Sequence, residues 1–251
     1  MAKTPARAAP SPIDRLMERA SIALEATRYF EAEKLAATAL RRAHRAHDFE
    51  RMSRIVLPLL EARRQKRQLA VDAGPRAILE AMPARRNAIQ PGCYLLQPPL
   101  IGLDARTLRE TADARQIPVL VLTREPLARD GAWPIVAVNG EVSIRTKVAP
   151  PWPLERNERR VCKDDVDEAT PPPAVEWFEA AAERLGDAAI ARLHAADPAA
   201  WRVDDLVAYL ECLPDHEKLH QRLDEACRVA MTQPLPEGRR PRPLLDDPFS
   251  F

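Results

Sequence analysis

Apolar residues recur at helical spacing along most of the chain and at strand spacing only in its middle. Ile13, Leu16, Met17, Ala20, Ala23, Leu24 and Thr27 fall on one face of a first predicted helix. A short break near Tyr29–Phe30 precedes a second, striped by Ala32, Leu35, Ala36, Ala39, Leu40 and Ala43. Asp48 reads as the N-cap of a third, with Phe49, Met52, Ile55, Val56, Leu59 and Leu60 on its apolar face. Pro58 inside that stripe predicts a kink or an early break, and the cations Arg63, Arg64, Lys66 and Arg67 suit a helix C-terminus. Gly74-Pro75 predicts another short helix through Met82, ended by Pro83. The period then changes. Cys93–Gln97 and Ile117–Leu122 read as short buried strands on either side of a helix capped by Asp104 and carrying Leu108 and Ala112. Asn139-Gly140 between Trp133–Val138 and Glu141–Val148 is a strong hairpin signal. Helical stripes resume with Val175, Phe178, Ala182 and Leu185, then Val203, Leu206 and Leu210, then Leu219, Leu223, Ala226 and Ala230.

These elements predict a mainly helical α+β protein: an N-terminal helical bundle, a small central β-α-β-β segment and a C-terminal helical bundle. Residues 1–12 read as a disordered lead-in, 13–90 as the first bundle and 91–153 as the α/β segment. A charged, Pro-rich linker is expected over 154–173, the second bundle over 174–233, and a Pro-rich tail over 234–251. The 25 prolines against 7 glycines agree with stiff connections and few tight turns. Cys93, Cys162, Cys212 and Cys227 form no CxxC pair, which predicts reduced thiols. No secretory h-region and no membrane-length apolar run occurs, so a soluble, cytoplasmic protein is expected.

Charge divides the chain. Residues 1–92 hold 18 basic against 10 acidic side chains, and residues 152–233 hold 10 against 18. Opposite charge on the two ends suggests that they pack together or mediate self-association. The basic stretch 41–67 also allows a nucleic-acid alternative.

Tyr29, Ala32, Ala36, Ala39 and Leu40 stand at the spacing of the second helix of a tetratricopeptide hairpin, and Phe49, Met52, Val56, Leu59 and Leu60 repeat it. Residues 13–70 therefore resemble a tetratricopeptide-type helical array, with frames 20 residues apart where the family uses about 34. The resemblance implies a protein-docking groove and no chemistry; a plain three-helix bundle fits the same stripes.

His216-Glu217-Lys218-Leu219-His220 is an H-E-x-x-H sequence, and over those five residues it resembles the zincin metallopeptidases. That resemblance implies His216 and His220 as zinc ligands and Glu217 as the base acting on zinc-bound water. Asp215, Lys218 and Arg222 make the surroundings more charged than a zincin helix, and the same histidines fit the border of a packing stripe with Leu219, Ala226 and Ala230. His44 and His47 are further metal-ligand candidates if the two helical ends meet. Pro98–Gly102 follows the first expected strand, where a cleft could form, and Arg106 and Arg109 lie near enough to hold an anion there. No phosphate loop, dinucleotide fingerprint or nucleophile elbow is present. The expected function is a non-catalytic interaction or scaffolding protein, without a cofactor, that binds an unidentified partner protein or itself. A zinc-dependent hydrolase and a nucleic-acid binder are the alternatives.

Overall fold

Ser11 starts α1 (Pro12–Glu25) with a reciprocal cap. Its hydroxyl accepts the Asp14 N–H and the Asp14 carboxylate accepts the Ser11 N–H, both at 3.1 Å. The computed structural model describes residues 10–83, 89–126, 128–152 and 171–238. Most of the expected lead-in, linker and tail, and Cys162 with them, lie outside the described residues.

α1, α2 (Tyr29–Arg45) and α3 (Phe49–Asp72) pack in succession. Buried Ala20, Ala23, Ala32, Ala36, Ala39 and Ala43 let the backbones approach closely. The two turns between them share one geometry 20 residues apart. Thr27 and His47 take positive φ (57° and 50°), and Arg28 N–H donates to Ala23 O as Asp48 N–H donates to Ala43 O. Each bond satisfies a carbonyl that the helix end leaves free.

Pro58 does not end α3, which runs 24 residues. Met52, Ile55, Leu59 and Ala62 are fully buried around it, and that packing outweighs the single backbone bond that proline removes. The cations at 63–67 consequently lie well inside the helix, not at its C-terminus; Arg63, Lys66 and Arg67 are neutralised by side chains from other elements, and Arg64 faces Glu61 of the same helix.

The expected helix from Gly74 to Met82 is instead a strand, β1 (Arg76–Leu79). Gly74, at φ 88°, turns the chain out of α3, and Ala77-Ile78-Leu79 then pairs in parallel with β2 (Gly92–Leu96). A four-residue strand carries too little alternation to separate it from a helical turn, and its neighbour in the sheet decides. α4 (Gly102–Ala114) joins β2 to β3 (Val119–Arg124), which is parallel to β2. Its N-cap is Ile101, with Asp104 accepting the Ile101 N–H at 2.8 Å from the third helical position. β4 (Trp133–Val138) and β5 (Ser143–Val148) complete a five-stranded sheet in sequence order, antiparallel from β3 onward. The hairpin is present with a different register. Val138 pairs with Ser143, so the loop has four residues, and Asn139 Oδ1 accepts the N–H groups of Glu141 and Val142. The asparagine side chain closes this turn in place of a two-residue Asn-Gly connection.

α4 covers one sheet face through Leu108 and Ala112, while α3 and α5 (Val175–Ala191) cover the other. α6 (Ala199–Cys212) and α7 (Glu217–Ala230) form a pair laid against α3. The Ser53 hydroxyl meets Asp224 and Arg63 meets His220, which fixes α3 and α7 as antiparallel. Arg67 pairs with Glu179 at 3.2 Å and His44 with Asp204 at 2.7 Å. Arg67 of the basic end thus meets Glu179 of the acidic end within one chain.

Gln116, past the end of α4, sits at φ 56° with its side chain exposed. This region disfavours side chains with a Cβ, so Gln116→Gly is expected to raise stability by about 0.5–1 kcal/mol. A urea melt gives the answer, and an unchanged or lower midpoint would refute it.

Candidate functional site

The most elaborate polar site is a cleft of 690 Å³ between α2–α3 on one side and α4 with the end of α6 on the other. Six basic and six acidic side chains line it. At its base Glu33 accepts Arg63 Nε at 2.8 Å and Lys66 Nζ at 2.5 Å. Lys66 Nζ also reaches Asp113 at 2.5 Å and lies 4.4 Å from the centre of the Phe30 ring. Burial pushes the Glu33 carboxyl up, but Arg63 and Lys66 more than reverse this and hold it at about 2. Asp113 is raised by burial, with Lys66 opposing. Arg109 donates to the carbonyls of Cys212 and Glu211 at 3.0 and 3.1 Å, which ties α4 to the end of α6. On the rim, Lys34, Glu211 and Asp215 make no side-chain hydrogen bond or ion pair with the described residues.

The H-E-x-x-H residues are placed differently from a zincin helix. His216 is the N-cap of α7, outside the helix, and its Nδ1 accepts the Leu219 N–H at 3.3 Å. His220 is fully buried; its Nδ1 donates to His216 O at 2.9 Å and its Nε2 accepts from Arg63 at 3.2 Å. Burial, reinforced by Arg63, pushes His220 down to about 3, so the ring is neutral. Both its nitrogens are thus engaged, Nε2 on the α3 side and Nδ1 by the His216 carbonyl, while the His216 ring lies against α5 at Gly186. Glu217 is exposed and accepts from Gln221 at 3.1 Å. The structure does not turn the two histidines to a shared metal position. His44 is engaged by Asp204, and His47 lies beside Phe49 with the rings tilted by 55° and their centres 6.1 Å apart. Neither approaches His216.

Pro98–Gly102 does line a cleft, of 1090 Å³, together with Pro126 and Pro134. Arg106 and Arg109 do not line it; Arg106 is held by Glu110 at 2.7 Å and Arg109 by the α6 carbonyls.

No family model matches this chain, and no characterised protein or solved structure does either. No helix among the described residues is long and apolar enough to cross a membrane.

Cys93, Cys212 and Cys227 are buried, and burial raises the first two to about 11 and the third to about 12. Thiols so far from ionising are poor nucleophiles. Iodoacetamide at pH 8 is expected to leave these three unmodified in the folded chain and to label all of them in urea. Labelling of any of the three without denaturant, read by peptide mapping, would contradict their placement.

Sequence reasoning missed Glu33 and Asp113, because each is an isolated carboxylate whose partners lie 30 and 47 residues away in the chain. The local signal for the cleft was the pair Arg63 and Lys66 at i and i+3, which share a helix face.

Proposed function

We propose that this chain is a non-catalytic interaction module that docks a partner protein in the cleft between α2–α3 and α4–α6. The observation that carries this reading is the cleft's charge pattern. Its base is set by ion pairs between separate elements, while Lys34, Glu211 and Asp215 remain free on the rim. Pre-organised walls with unpaired charges of both signs favour a polypeptide segment bearing both signs. The tetratricopeptide-like stripes of residues 13–70 supply one wall and point the same way. A foreign partner is favoured over a second copy, because Arg67 of the basic end is already paired with Glu179 of the acidic end, which leaves less charge for pairing between copies. Within the basic stretch Arg63, Lys66 and Arg67 are tied to Glu33, Asp113 and Glu179, which leaves the exposed Arg41, Arg42, Arg45 and Arg54 as the cations a nucleic acid would meet.

A photo-crosslinking residue at Ala114, an exposed position that lines the cleft, in the full chain at its native level, tests this. The expected result is one dominant adduct that disappears when Asp215→Lys and Glu211→Lys are added. A probe at Arg19, on the outer face of α1, is expected to yield none of it. Equal capture at both positions, or capture indifferent to the charge reversals, would refute docking in this cleft.

A further inference from the structure

Glu183 and Asp187 stand four residues apart on α5 and share a face. The ring of His216 lies on that face, and the ligand atoms of the three residues all lie within 4.8 Å of one another. His216 is 3% exposed, and its Nε2 is buried with no hydrogen-bond partner. It faces Glu183, whose Oε2 is 3.4 Å away. A tetrahedral metal with bonds of about 2.0–2.1 Å holds its ligand atoms roughly 3.4 Å apart. One pair of atoms already has that spacing. A cation already sits beside the carboxylates as well: Lys218 Nζ is 3.3 Å from Glu183 Oε2 and 2.8 Å from Asp187 Oδ1.

We propose that His216, Glu183 and Asp187 form a three-ligand site for a divalent transition metal, with zinc the best match. Two carboxylates neutralise the charge of the ion, one imidazole supplies the nitrogen that selects zinc over magnesium, and water completes the tetrahedron. Binding needs two local changes. The Lys218 ammonium swings into solvent as Asp187 closes on the metal. The His216 ring proton moves from Nε2 to Nδ1, freeing the Nε2 lone pair and giving up the 3.3 Å contact from Leu219 N–H. Glu183 and Asp187 are exposed enough for the ion to reach them from water. His220 and Glu217 take no part, so this site is separate from the H-E-x-x-H arrangement that shares His216.

Calorimetric titration of the tag-free full chain with zinc, and with magnesium as control, tests the proposal. One zinc per chain is expected, with no magnesium binding. Lys218→Met, which removes the competing cation, is expected to tighten zinc by roughly tenfold or more. Glu183→Gln and Asp187→Asn each weaken it by at least roughly tenfold, while Glu217→Gln leaves it unchanged. The carboxylate variants carry the test if His216→Ala fails to fold, since both positions are partly exposed. No zinc binding in either the parent chain or Lys218→Met would overturn the site. So would binding indifferent to Glu183→Gln and Asp187→Asn, or binding lost with Glu217→Gln.

Discussion

Glu33→Gln is expected to remove about 3–5 kcal/mol of folding stability, the largest loss foreseen for a volume-preserving change in this chain. The carboxylate is only 15% exposed, and it is the shared acceptor for Arg63 and Lys66, themselves 12% and 13% exposed. Amidation leaves two sequestered cations with Asp113 as their one remaining carboxylate contact. Adding Arg63→Met and Lys66→Met should restore much of the loss, because an apolar cluster replaces a charged one and no lone charge stays behind. Acid makes the same point without mutation. Glu33 is held at about 2 against an ordinary 4.5, so its contribution is complete above about pH 4.5 and is lost as pH falls toward 2. His220 is held at about 3 against 6.5. Its folded value lies below its unfolded one, so that contribution is whole above 6.5 and declines as pH falls toward 3. Between pH 7.5 and 5, His220 alone should account for about 2 kcal/mol. Urea midpoints at pH 7.5, 6 and 5 would show the slope, and His220→Gln should flatten it. A pH-independent midpoint over this range would contradict a buried neutral imidazole.

Gly186→Ala is expected to destabilise the chain by about 2–4 kcal/mol, although alanine is the better helix former. A Cβ at Gly186 would stand 1.9 Å from His216 Nε2 and 2.1 Å from its Cδ2. The ring is buried beneath α5 and caps α7, so it has no free volume to retreat into. Relief requires giving up the cap or separating the two helices. The diagnostic is a double-mutant cycle: His216→Ala should be far less harmful when Gly186 is already alanine. Strict additivity of the two losses would mean that the imidazole is not the obstacle. In the sequence, Gly186 was an isolated glycine inside an otherwise helical pattern, which signals a close approach without saying of what.

That glycine illustrates how much could be read in advance. Periodicity located the helical faces and the middle strands, because a stripe such as Met52, Ile55, Val56 and Leu59 reports its own burial. The hairpin's position was legible from Asn139-Gly140, but its register was not, since register depends on which backbone N–H groups the Asn139 side chain takes. β1 was misread because four residues carry less periodic information than the neighbouring strand supplies. The cleft was illegible for a different reason. Arg63 finds Glu33 30 residues away and Lys66 finds Asp113 47 residues away. A charged run read locally looks like a solvated face or a helix terminus, and only tertiary packing reveals its partners. The H-E-x-x-H spacing likewise set the order of the residues and left open where the helix would begin. One residue's difference in the start of α7 turns His216 from a helical side chain into a cap.

The antiparallel contact of α3 with α7, with Arg67 reaching Glu179 and His44 reaching Asp204, joins the two halves by more than their peptide connection. A protease cut between residues 152 and 171 would therefore change the covalent formula more than the particle. The fragments hold complementary surfaces that exclude water along α3, and the first already carries every strand of the sheet that α5 covers. On a sizing column the nicked material should travel as one body, and the halves should come apart only in denaturant. Expressed as two polypeptides, the same halves would work as a split protein whose reassembly reports their encounter. Their association would have to replace the effective concentration that the covalent connection provides.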